Sequence, residues 1–217
     1  YDGMLNNYGK HCEFANFIDG KWIHDFYYAE GNIYAKLEQL EKDFVDKNAV
    51  GGTENQYEKQ KALLENVLPK PKILDEIFIS PNHEFVHQFD LGTVVKPYWN
   101  SETRATEEKE FQYNLAEKFK DFAGTLSSEA FAGSSAWEVR SFVDNETVTG
   151  SDKERNALVR ERRKAAANDL FYKFLREELP DDLRNRFVKE FNRNYNNIHV
   201  PDYSKFPLFS KIHLNFK

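Results

Sequence analysis

The sequence predicts a mainly α fold with minor β: a helical, bundle-like α+β arrangement with an N-terminal β-hairpin and one or two further short strands. Three observations carry this. Apolar residues recur at helical steps in several separate stretches, Gly and Pro punctuate those stretches, and one Asp-Gly pair sits between short runs rich in aromatic and β-branched residues. The core material is sufficient: 40% of the 217 residues are apolar, with 19 Phe and 11 Tyr. Each buried aromatic side chain contributes roughly 1.5–3 kcal/mol.

Residues 13–26 read as the hairpin, turning at Asp19-Gly20, where both positions tolerate positive φ. Gly31-Asn32 then caps a helix presenting Ile33, Leu37, Leu40 and Phe44 on one face. Gly51-Gly52 interrupts, and a second helix from about Glu54 carries Tyr57, Leu64 and Leu68 until Pro69 and Pro71 stop it. Residues 73–79 suggest a short strand. Ser80-Pro81 suggests a helix start, and Gly92 its end.

Residues 96–103 mark the expected internal boundary, giving subdomains over 1–99 and 100–217. Beyond it, Thr106 with Glu107 and Glu108 reads as the cap of a helix bearing Phe111, Leu115, Phe119 and Phe122. Residues 137–143 read as a strand. A long helix is expected from about Asp152 to Leu179, with Leu158, Ala165, Leu170, Phe171, Phe174 and Leu175. Pro180-Asp181 opens another, with Leu183, Phe187 and Phe191 at four-residue steps. Residues 192–197 either cap that helix or touch nucleic acid, and capping is the preferred reading.

The net charge is −6, from 36 acidic and 30 basic residues, so the surface as a whole does not attract nucleic-acid phosphates. The single cysteine, Cys12, excludes an intrachain disulfide framework and points to a reducing cytoplasm. No apolar run approaches the ~18 residues of a membrane span. A start at Tyr1 and a stop after an unpunctuated run at Lys217 suggest a piece of a longer polypeptide.

Two short motifs invite chemistry. His83, Glu84 and His87 match HExxH, in which helical histidines four apart hold Zn²⁺ and the glutamate activates water. Pro81 would place that motif in a first helical turn, and no third ligand follows at a recognisable spacing. Leu74-Asp75-Glu76 looks like the acidic box of a helicase, yet lacks the preceding buried strand and any phosphate loop. A third feature is a basic strip, Lys153, Arg155, Arg160, Arg162, Arg163 and Lys164, on the first half of the long helix. Such residues either contact phosphates or form a solvated, ion-paired helix face. Tyr98 and Trp99 are candidate anchors for a protein partner.

Residues 30–40 with 56–64, residues 170–179, and residues 191–196 with Pro201-Asp202-Tyr203-Ser204 together form an ordered pattern over most of the chain. It resembles the region ahead of the motor in large proteins of bacterial mobile elements and phages, which fuse an adenine-specific DNA methyltransferase to a Swi/Snf-like superfamily 2 helicase. The resemblance implies a non-catalytic segment with no cofactor of its own, while ATP with Mg²⁺ and S-adenosylmethionine belong to the parent protein. Its implied partners are the neighbouring methyltransferase and helicase domains, with duplex DNA at the basic strip and no membrane. The alternatives are a zinc-dependent peptidase built on Glu84, His83 and His87, and a protein-interaction module.

Overall fold

A computed structural model describes residues 13–45, 54–202 and 204. It is mainly α with minor β, as the sequence predicts. The elements are β1 (Ala15–Ile18), β2 (Lys21–His24), α1 (Asp25–Tyr28), β3 (Gly31–Asn32), α2 (Ile33–Val45) and α3 (Glu54–Val67). There follow α4 (Glu84–Gln88), β4 (Asp90–Asn100), β5 (Ala105–Asn114), α5 (Leu115–Thr125), α6 (Ala136–Val143), α7 (Lys153–Lys173), α8 (Asp181–Tyr195) and β6 (Ile198–His199). Two compact units result, one from residues 1–71 and 192–217 and the other from residues 72–191. The division expected near 99/100 instead falls at the tip of a continuous β-hairpin, whose two strands belong to one unit. Among the described residues no helix is long and apolar enough to cross a membrane.

In the first unit, β1 and β2 pair antiparallel through the expected turn, with Asp19 and Gly20 both at positive φ. Asn32 pairs in β3 with Ile198 of β6, and its side chain accepts from Ala35 N–H at 3.0 Å, so the expected cap forms. Tyr28, Ile33, Leu40 and Leu64 centre the core, with Leu37, Phe44 and Tyr57 against it. A buried amide couples α3 to the hairpin. Gln60 Oε1 accepts from Phe17 N–H and its Nε2 donates to Phe17 C=O, both at 2.8 Å, as a neighbouring strand would. The same Nε2 donates to Tyr28 Oη at 2.9 Å. Burial pushes the Tyr28 hydroxyl up to about 12, against the opposing effect of that bond. The expected Gly51-Gly52 break lies outside the described residues.

The second unit is built on phenylalanine. Phe119 meets Phe171 edge-on with centroids 5.0 Å apart and Phe174 at 5.5 Å, while Phe85 and Phe89 flank Phe187 at 5.3 and 5.9 Å. α7 runs on through a π turn at residues 174–178, closed by Leu179 N–H to Phe174 C=O at 2.9 Å. The wider turn buries Phe174 and Leu175 together. Arg184 donates to the carbonyls of Leu175 and Leu179, which the helix end would otherwise leave unpaired.

Four expectations need correction here. Residues 73–79 form a 3₁₀ turn at Leu74–Glu76 rather than a strand: Ile77 and Ile79 are buried, but no strand lies beside them among the described residues. Residues 137–143 are helical, because Ser135 caps α6 by accepting from Glu138 N–H at 3.2 Å. Residues 105–114, expected to open a helix, are strand β5; the helix begins only at Leu115, where Asn114 accepts from Glu117 N–H at 2.9 Å. Gly92 ends no helix. It sits at φ 90° in the bulge between Asp90 and Thr93 at the foot of β4.

Candidate nucleic-acid interface on the long helix

Asp152 caps α7 by accepting from Arg155 N–H at 3.0 Å, and the loop before it closes tightly. Asn156 donates to Gly150 C=O at 2.9 Å, and a Cβ at Gly150 would lie 2.7 Å from Asn156 Oδ1. The buried stripe of α7 is Arg163, Ala166, Ala167, Leu170 and Phe171. It begins late. Over residues 153–162 only Asn156 and Val159 are half-buried, so the first three turns stand in solvent.

This placement divides the six basic residues. At 100° per residue, Lys153, Arg160 and Lys164 fall within about 40° of each other and span ~16 Å along the axis. Arg155 and Arg162 lie roughly half a turn away, across the crest that carries Glu154, Leu158 and Glu161. Arg162 donates to Glu138 Oε1 at 2.5 Å. Arg163 is turned inward: it is only 8% exposed, its guanidinium lies 4.9 Å from the Trp137 ring centre, and its Nε is 3.7 Å from Glu138 Oε1. Glu138 also accepts from Ser134 Oγ at 2.9 Å. Burial pushes its carboxyl up, but Arg162, Ser134 and Arg163 together outweigh that and hold it below the usual carboxylate range.

Arg162 and Arg163 therefore join α6 to α7, and the continuous strip read from the sequence is not one surface. The Ser-x-x-Glu spacing at 135–138 was the available signal for this, marking a helix start with an acid beside the arginines. The side chains of Lys153, Arg155, Arg160 and Lys164 have no ion-pair or hydrogen-bond partner among the described residues.

The histidine motif is occupied otherwise. His83 precedes the five-residue α4 and caps it, its Nδ1 accepting from Phe85 N–H at 3.1 Å. His87 Nε2 is 2.9 Å from Val143 C=O, and this contact ties α4 to the end of α6. Glu84 is exposed and accepts from Gln88 at 2.6 Å. Among the described residues no three His, Cys, Asp or Glu side chains converge as a metal would require. His83 is thus the N-cap of α4, and its carbonyl accepts from His87 N–H at 3.4 Å.

Leu74-Asp75-Glu76 lies in the 3₁₀ turn, with Asp75 accepting from Arg176 at 2.7 Å. Tyr98 and Trp99 lie on β4 near the tip of the β4–β5 ribbon. At the ribbon's foot a shallow cavity of about 340 Å³ is lined by residues including Asp90, Tyr113, Lys118 and Arg186. Arg186 is engaged there, lying 4.4 Å over the Phe89 ring and 2.7 Å from Glu190. Comparison with known proteins finds no matching family model, curated protein or solved structure.

Proposed function

We propose that this chain is a non-catalytic, mainly α segment of a larger cytoplasmic DNA-processing polypeptide, of the methyltransferase–helicase kind its sequence resembles. In this reading it positions the motor and touches duplex backbone through Lys153, Arg160 and Lys164, with Arg155 on the opposite flank. ATP, Mg²⁺ and S-adenosylmethionine belong to neighbouring domains. The observation that supports the contact is a solvent-standing helix start with four cations that no carboxylate among the described residues engages, where the other described arginines are largely paired. Free cations of this kind release counterions on meeting phosphate, and the contact is indifferent to base sequence.

The test is fluorescence anisotropy of a short labelled duplex titrated with the chain at several salt concentrations. Three contacts give a slope of log K on log salt of about −2.7. Lys153→Glu with Arg160→Glu and Lys164→Glu weakens binding and flattens the slope, while Arg163→Met leaves both unchanged. Unchanged affinity in the triple variant overturns the DNA contact.

A further inference from the structure

The β4–β5 ribbon carries a surface that the DNA reading leaves unused. Its register pairs Val95 with Glu110, Pro97 with Glu108 and Trp99 with Thr106, and Lys96 with Lys109 and Tyr98 with Glu107 on the alternate positions. Directly opposed residues share a face, so the ribbon has two unlike sides.

One side covers itself. Lys109 lies 5.1 Å over Tyr98 and 5.7 Å over Phe111, and Lys96 lies 5.2 Å over Tyr113 while pairing with Asp121 of α5 at 3.0 Å. Both lysines of the paired strands are on this side. The other side holds Val95, Pro97 and Trp99 beside Glu108 and Glu110. Val95 is 62% and Trp99 60% exposed, and among the described residues Glu110 is met only by the Thr93 hydroxyl at 2.5 Å. No cation neutralises this side among the described residues. A large aromatic and a branched aliphatic in water beside two unpaired acids form an apolar, negative patch, which repels nucleic acid.

The edge next to it is open. Among the described residues the ribbon is a two-stranded sheet, so each strand has one unpaired edge. Pro97 lacks an N–H and interrupts the β4 edge, whereas β5 contains no proline. A third strand added along β5 would set alternate side chains beside Glu108 and Glu110, at the ~5 Å spacing of cross-strand pairs.

We propose that this side of the ribbon docks an extended segment of a partner protein with Lys or Arg at the alternate positions beside Glu108 and Glu110 and a large apolar residue at the next position of the same face, opposite Thr106, where it reaches across that small side chain to Trp99. Charge complementarity selects the partner, and Trp99 anchors it.

The test uses the full chain and a labelled peptide of about eight residues, the length of an ordinary strand, with lysine at two alternate positions, phenylalanine at the next position of the same face and threonine between them. The expected result is saturable binding, weakened about tenfold or more by Trp99→Thr and by Glu108→Gln with Glu110→Gln. All three substituted residues lie on the surface, and unchanged far-ultraviolet circular dichroism shows the fold intact. The Lys153, Arg160 and Lys164 charge-reversal variant binds the peptide as the parent does, so this proposal and the DNA contact fail separately. Equal affinity for octalysine, or binding unaffected by both ribbon variants, overturns the docking surface.

Discussion

Replacing Arg163 by alanine separates a structural arginine from a DNA-contacting one. The cost follows from three contacts. Truncation removes two buried stem methylenes, worth roughly 0.8 kcal/mol each. It removes a cation–π contact to a tryptophan ring that is largely in water, worth about 0.5–1 kcal/mol. It also removes a loose ion pair to Glu138, which Arg162 still engages, so this part is about 0.5 kcal/mol. The total is about 3 kcal/mol, read as a lower urea midpoint at unchanged m-value. Arg163→Met keeps the stem and costs about 1 kcal/mol, while Arg162→Ala, removing an exposed pair, costs less than about 1 kcal/mol. A double-mutant cycle with Trp137→Ala isolates the stacking energy. If Arg163→Ala keeps full stability yet weakens duplex binding tenfold, the division of the basic residues is wrong.

Gln60→Ala strands the buried N–H and C=O of Phe17 and lowers chemical-denaturation stability by about 3 kcal/mol, from roughly 1–3 kcal/mol per orphaned group; a loss below 1 kcal/mol contradicts the bidentate amide. The depressed Glu138 carboxyl contributes stability that is fully present above its ordinary value of 4.5 and is lost as pH falls through the lower folded value. Glu138→Gln therefore flattens the stability profile below pH 4.5, and an unchanged acid limb counts against the cluster. His83→Ala lowers stability by about 1 kcal/mol through the lost cap, while EDTA leaves Tm unchanged. A Tm drop on chelation would instead restore the metal reading.

Helices announced by both a cap and a repeating apolar step were legible in the sequence. Asn32 with Ile33, Leu37 and Leu40 is an example; Asp152 caps α7 likewise, but of the stripe expected there Leu158 and Ala165 are exposed and burial of the expected residues starts at Leu170. The ribbon was not. All residues from Ala105 to Glu110 are exposed, so β5 has no buried alternation to read, and its Thr-Glu-Glu sequence imitates a helix start. What holds it is cross-strand pairing whose separation grows from Asn100 with Ala105 at the tip to Asp90 with Asn114 at the foot, beyond the reach of a local window for most of its length. α6 failed in the opposite direction: Trp137, Val139, Phe142 and Val143 look β-prone, but Ser135 and Glu138 set the backbone first. The basic strip was legible as a count and not as a surface, because the fate of Arg162 and Arg163 depends on Glu138 from another helix.

That dependence also reconciles an acidic chain with a DNA contact. Residues 153–164 hold six basic and two acidic side chains, so the rest of the chain stands at −10 against the overall −6. Glu138 engages two of the six, leaving four free cations among Glu154 and Glu161. At physiological salt the field of an exposed charge fades within ~8 Å, so a duplex lying along Lys153, Arg160 and Lys164 meets that local excess rather than the net charge. The same screening leaves the ribbon's acids to choose their own partner. Under the proposed DNA contact, raising salt weakens duplex binding without needing to disturb the cation–π and packing contacts that hold Arg163 in place.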